Sequence, residues 1–285
     1  LLIHIVTTMK RYINLLLAFG LSAFALQSCF QDMDHPAFDY PDSSAGKEYS
    51  PMKLFLPFEN DMRDKGNYTF LMSAGGEITY TDGVNGQAYQ GTKDSYLLAR
   101  VPSYLNDTIP ELGSCTVAFW MKTTRNTSAY GIFSIPNTKT FWGNFDIYLE
   151  NTGSETQAFF KMHLYNCTSV KDNDERWVEA KIDNVFGTEW VHMAFVYDGD
   201  NSTMTVYRNG ESALTKELPG YGKLKFKDWG TFAIGAFQFS TKPSLTEGAG
   251  AQSWASNFPG QLDQFRFYDR AISASEIKQL YSGKE

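Results

Sequence analysis

Six tryptophans stand in the chain. An indole stacks well on the apolar C–H face of a sugar ring, while Asn, Asp, Gln and Arg reach the hydroxyls. Three of the six fall where the surrounding residues predict loops. Trp142 sits in Thr140-Phe-Trp-Gly-Asn144 just ahead of a strand, and Trp177 follows the acidic stretch at 171–176. Trp254 lies within residues 240–259, a segment rich in Gly, Ser and Ala; structureless loops of that length are uncommon and often functional. Trp120, Trp190 and Trp229 fall in strand-like runs and are expected to pack in the core. The loop tryptophans either form a binding platform or pack beneath long loops. Which of the two holds depends on whether the fold brings their segments together.

Other chemistry is poorly served. No Cys-x-x-Cys or paired-His spacing suggests a zinc site. His192 lies in a run that is apolar on both faces and is expected to be a hydrogen-bonded core histidine. His163 stands between Met162 and Leu164 without an obvious partner. Asp172-Asn-Asp-Glu175 and Asp198-Gly-Asp200 are acidic, but their Asn and Gly neighbours read as turns rather than paired catalytic carboxylates. No basic run exists, which argues against nucleic acid or an anionic membrane surface as partner.

The elements that must position these side chains are strands. Val191, Met193, Phe195 and Tyr197 alternate with Trp190, His192, Ala194 and Val196, so this run expects cover on both faces. Further strands are predicted at 203–208, 232–236, 145–150, 159–165 and 261–268. Asn209-Gly210 supplies the two positive-φ residues of a tight hairpin. Helical periodicity is convincing only at 274–281, opened by the capping box Ser273-x-x-Glu276 and closed by Gly283. Short strands with almost no helix predict an all-β, two-sheet antiparallel sandwich or jelly roll with a short C-terminal helix. Cys115 and Cys167 either pair or remain free thiols, Cys115 lying in a strand with apolar alternate residues.

Two segments carry a family resemblance: Trp190-Val-His-Met-Ala-Phe-Val-Tyr-Asp-Gly199 with Tyr207-Arg-Asn-Gly210, and residues 260–281, beginning Gly260-Gln-Leu-Asp-Gln-Phe-Arg-Phe-Tyr-Asp-Arg270. They resemble the laminin-G-like domains of the concanavalin A-like lectin/glucanase superfamily. Leu54-Phe-Leu-Pro-Phe58, Gly83-x-x-Gly86-Gln-Ala88 and Thr116-Val-Ala-Phe-Trp-Met-Lys122 extend the resemblance over residues 51–285. Many retaining glucanases of that fold carry Glu-x-Asp-x-x-Glu on one strand, since period-two alternation points all three acids into one cleft. No such triplet is present. The resemblance also implies a structural Ca²⁺ where first and last strands meet, with Asp263 as one ligand and Asp64, Glu59 and Asp61 from the first-strand turn. The alternative is that Asp263 only caps backbone amides or pairs with Arg266.

Residues 15–26 are nearly all apolar behind Lys10-Arg11, a secretory signal too short for the about 20 residues of a bilayer span. Residues 1–8 look like an over-extended start ahead of Met9. Leu26-Gln-Ser-Cys29 fits a loose bacterial lipobox, in which Cys29 carries the lipid. Residues 29–50 then form an acidic, proline-broken tether, resembling the export signal of surface lipoproteins in Bacteroidetes-type bacteria. Removing residues 1–28 leaves 23 basic against 32 acidic residues, a net charge of −9. The expected protein is an outer-membrane, cell-surface lipoprotein that binds polysaccharide or glycoprotein glycans without catalysis. It would meet the membrane only through its lipid, beside neighbouring surface enzymes or transporters. The alternatives are a glycoside hydrolase with a dispersed carboxylate pair and a protein-interaction module.

Overall fold

The run at 190–198 behaves as its two apolar faces require. The computed structural model describes residues 48–168 and 171–284, so the signal segment, Cys29 and most of the tether lie outside the described residues. In the unit beginning at Tyr49, β11 (Val191–Asp198) is buried along almost its whole length. It pairs with β6 (Cys115–Lys122) and β12 (Thr203–Arg208) in the middle of an antiparallel sheet. One face looks into the inter-sheet core, where Phe119, Phe195 and Phe265 stack at centroid distances of 5.9 and 5.7 Å. The other is covered by α1 (Ala274–Gly283), whose Ile277 packs with Ala118, Ala194, Val196 and Tyr268.

This first sheet continues through β16 (Gln261–Tyr268) to β4 (Gln87–Gln90) and β3 (Thr79–Asp82), with β13 (Glu211–Glu217) at the far edge. β16 changes partner midway. Gln261 and Leu262 pair with β4, whereas residues from Phe265 on pair with β1 (Met52–Leu56). Between them the register against β6 shifts and Gln264 takes φ 51°. That bulge re-aims Asp263 towards the turn ahead of β4.

The second sheet runs β10 (Asp174–Ile182), β9 (Ala158–Asn166), β8 (Phe145–Glu150), β7 (Ala129–Ile135), β14 (Phe232–Ile234), β5 (Tyr96–Arg100) and β2 (Leu71–Gly75). A short β15 (Ala255–Asn257) joins β7 in parallel. Phe133 meets Phe265 at 5.6 Å and Phe160 meets Phe195 at 5.3 Å, knitting the two sheets into one core. The predicted all-β sandwich with one C-terminal helix is the fold observed.

Some local expectations need correction. Gly283 lies inside the helix, and Lys284, at φ 51°, makes the left-handed stop. Trp177 stands on β10, not in a loop. Glu175, read as part of a turn, is also a β10 residue. Cys115 and Cys167 are both free thiols. Trp190 is only partly buried.

Candidate functional site

On the three strands at one end of the second sheet, side-chain alternation sends Phe145, Met162 and Val178 into the core and their neighbours outward. Asp146 pairs in register with His163, and His163 with Trp177, while Tyr165 pairs with Glu175. The outer face therefore carries a row of polar and aromatic side chains that are far apart in sequence. The connection at 136–144 folds back over this row and lays Trp142 on it. Trp142 stacks on Tyr148 at 5.6 Å and 13°. It meets Trp177 edge-on at 4.9 Å, His163 at 5.6 Å and Trp254 at 5.9 Å. The three tryptophans singled out from sequence thus form one cluster, with Trp142 half-buried at its centre and Trp177 and Trp254 37 % and 42 % exposed.

Several residues that build this cluster were not legible as site residues. Phe141, Phe237 and Phe239 pack behind the tryptophans, Phe141 stacking on Phe239 at 4.3 Å. The buried Gln238 locks the Trp142 loop. Its Oε1 accepts from Asn137 N at 2.7 Å, and its Nε2 donates to the carbonyls of Asn137, Thr140 and Phe141 at 3.1, 2.7 and 2.9 Å. One side-chain amide so satisfies backbone groups that no strand pairs. Trp254 is placed by its carbonyl, which accepts from Ala129 N at 2.9 Å beside the short parallel pairing of β15.

Beneath the indoles lies a polar line. Glu175 Oε1 accepts from Trp177 Nε1 at 3.1 Å and lies 3.2 Å from His163 Nε2. On the other side of the imidazole, Nδ1 is 3.3 Å from Asp146 Oδ2, outside hydrogen-bond geometry. Asp146 also accepts from Gly143 N at 2.7 Å and from the Ser134 hydroxyl. His163 therefore has neighbours that the sequence did not suggest. Alternation along β9 could have placed it on the face opposite Met162 and Leu164, but not named the groups facing it. The His163 and Asp146 side chains are 0 % and 2 % exposed, so they hold the indoles in place and only Glu175 reaches solvent. Burial pushes the Tyr148 hydroxyl well above its ordinary value, with Glu150 and Asp146 adding to the shift, so it stays protonated.

The four residues expected around a cation divide into two groups. Asp263 and Glu59 meet at the turn 83–86. Asp263 Oδ2 accepts from Val84 N at 2.8 Å, Glu59 Oε2 accepts from Gln87 N at 3.1 Å, and Asp263 Oδ1 is buried without a partner. Glycine suits both ends of the turn, since a Cβ on Gly83 would lie 2.9 Å from the backbone carbonyl carbon of Gln87 and Gly86 takes φ 66°. Desolvation, opposed by backbone amides and reinforced by Glu59, raises the Asp263 carboxyl to about 6. Asp64 does not join them. Its oxygens accept from the backbone amides of Phe55, Gly66 and Phe70 at 2.9, 2.8 and 2.8 Å, which consumes them in shaping the first-strand turn. Asp61 likewise turns to Lys65 and Arg63 at the surface. Among the described residues no three His, Cys, Asp or Glu side chains gather as a metal-holding group.

A family model, Laminin_G_3, described as concanavalin A-like lectin/glucanases superfamily, matches residues 90–278. No curated protein matches the chain. Among solved structures, the binding domain of botulinum neurotoxin DC in complex with rat synaptotagmin II is similar at TM-score 0.57 and 14 % identity, over 82 % of this chain and 52 % of that one. A botulinum neurotoxin type C structure is similar at 0.55 and 15 %, over 82 % and 52 %. The binding domain of Paraclostridial Mosquitocidal Protein 1 gives 0.58 and 14 %, again over 82 % and 52 %. The chain spans about half the length of these structures. At such identities the likeness concerns the fold.

Proposed function

The chain belongs to the concanavalin A-like lectin/glucanase superfamily, and from that premise we propose that it is a non-catalytic glycan-binding protein held at the bacterial cell surface by a lipid. The observation that carries this reading is the convergence of Trp142, Trp177 and Trp254 on the outer face of the second sheet. Two half-exposed indoles offer apolar faces for sugar C–H groups, and the Glu175 carboxylate beside them accepts from hydroxyls. Glycan recognition also accords with similar folds. Botulinum neurotoxin type C is described as depending for cell entry on two ganglioside molecules.

A hydrolase reading requires two carboxylates facing a substrate across about 5–9.5 Å. Asp146 is sealed beneath Trp142 and Gly143, and the other acids of this outer face, Glu150 and Glu179, lie 3.4 and 3.5 Å from Lys161, which leaves Glu175 as the acid beside the indoles. Calcium would serve the frame instead. Asp263 and Glu59 would hold it at the turn 83–86, the unpartnered Asp263 Oδ1 supplying a hard oxygen, and the ion would staple the first-strand turn to the last strand.

A glycan array on the purified protein tests the binding reading. Trp177→Ala and Trp254→Ala are each expected to weaken binding about fivefold, from loss of about 1 kcal/mol of stacking, with the β-sandwich circular dichroism spectrum retained. Failure to bind any glycan, or binding indifferent to both substitutions, sinks it. The lipid anchor rests on residues 10–29 of the sequence. Cys29→Ala is expected to abolish palmitate labelling and release the protein from the membrane fraction; unchanged labelling would refute the anchor.

A further inference from the structure

We propose a second ligand site, separate from the tryptophan cluster, that takes the carboxylate-bearing ring of a uronic acid. It is a cleft of about 420 Å³ where the ends of β6 and β4 and the start of β16 meet the connections leading to β7 and β11. Its size falls within the about 300–1,000 Å³ usual for small-ligand sites. The charged lining is wholly basic, Lys122 and Arg125, in a chain whose net charge is −7.

The two cations are arranged for use. Lys122 Nζ lies 4.9 Å from the centroid of the Trp190 ring, and no carboxylate pairs with it among the described residues. The indole holds the ammonium by cation–π attraction and leaves its remaining hydrogens for a ligand. Arg125 gives one guanidinium nitrogen to Glu155, whose side chain is 76 % exposed. So exposed a pair is weak enough to yield to a bound anion.

Neutral groups complete the cleft. Its floor is a fixed amide ladder: Gln261 Nε2 donates to Gln90 Oε1 at 2.9 Å, and Gln90 Nε2 donates to the carbonyls of Gly91 and Pro259 at 2.8 and 3.2 Å. The exposed hydroxyls of Thr124 and Thr188 stand in the walls. A compact inorganic anion would satisfy the cations and leave the hydroxyls and most of the volume unused. A sugar acid satisfies both sets, its carboxylate between Lys122 and Arg125 and its ring hydroxyls on the threonines.

Isothermal titration of the purified protein with free galacturonate and glucuronate, against galactose and glucose, tests the assignment. At least one acid is expected to bind about tenfold or more tighter than its neutral counterpart, with affinity falling as salt rises. Lys122→Gln and Arg125→Gln should each weaken that binding about tenfold, while Lys122→Arg retains most of it and the melting temperatures stay unchanged. Trp177→Ala and Trp254→Ala should leave uronate binding intact, so failure here and failure of the tryptophan surface are distinguishable. Neutral sugars binding equally, neither acid binding, indifference to both charge substitutions, or inorganic sulfate binding as tightly as the uronate would overturn it.

Discussion

His192 and Asp263 lie on neighbouring parts of the first sheet and pull its pH response in opposite directions. His192 is buried against Trp120 at 5.2 Å, and its Nδ1 has no partner, so the expectation of a hydrogen-bonded ring is not met at that nitrogen. Desolvation, with Arg266 adding, lowers its pKa from 6.5 to about 3. Below 6.5 the unfolded chain takes a proton that the folded protein refuses, so this contribution is complete above 6.5 and is lost as pH falls towards 3. Asp263, raised to about 6 from 3.8, does the reverse. Between those values the folded state keeps a proton the unfolded chain has released, and stability declines as pH rises through the window. Replacing His192 with Phe should flatten the acid side of a urea-midpoint profile between pH 7 and 4, by up to about 3 kcal/mol at the acid end. An unchanged profile would show that the ring accepts a proton in the folded state.

Elements carry the second kind of information. The capping box at Ser273 was readable because it is local: Ser273 Oγ accepts from Glu276 N at 3.3 Å, and Glu276 Oε2 accepts from Ser273 N at 2.8 Å. Because α1 also roofs Ala118, Ala194 and Val196, fraying at its start exposes the outer face of the sheet. Ser273→Ala is therefore expected to cost about 1 kcal/mol and lower the melting temperature by about 2–4 °C, measurable by calorimetry; no shift would mean that sheet packing alone holds the first turn. The hairpin at Asn209-Gly210 was equally local, and both residues take positive φ, 49° and 81°. Trp177 shows the opposite case. Its acidic, polar neighbours read as a loop, yet Val178, Ala180 and Ile182 alternate into the core and make it a strand. The half-exposed outer face carried the misleading signal.

At the scale of the whole molecule, Glu59 and Asp263 bring the first-strand turn and the last strand to one place. Two carboxylates there repel each other while no cation is bound. At pH 7.5 calcium is therefore expected to raise the melting temperature, and a concentration about 100 times Kd would add about 2.7 kcal/mol. Asp263→Asn should stabilise the cation-free protein by about 2 kcal/mol and abolish the response to calcium. A melt indifferent to both calcium and chelator would remove the ion from this site.

The sequence by itself determined the frame. Alternation, turn residues and the capping box act between neighbours along the chain, which is why β12, β8, β16 and the C-terminal helix are found where their residues place them. The tryptophans could be chosen as types, and Asp263 as the cation ligand that the family resemblance implied, but not which tryptophans meet or which of the expected acids joins Asp263. Only the tertiary structure decided that Trp142, Trp177 and Trp254 meet, that Gln238 locks their loop, that His163 lies between Asp146 and Glu175, and that Asp64 spends its oxygens on backbone amides. Each of those facts depends on register between strands distant in sequence or on a loop folded across a sheet. Such contacts follow from burial of the whole core, and no local pattern encodes them.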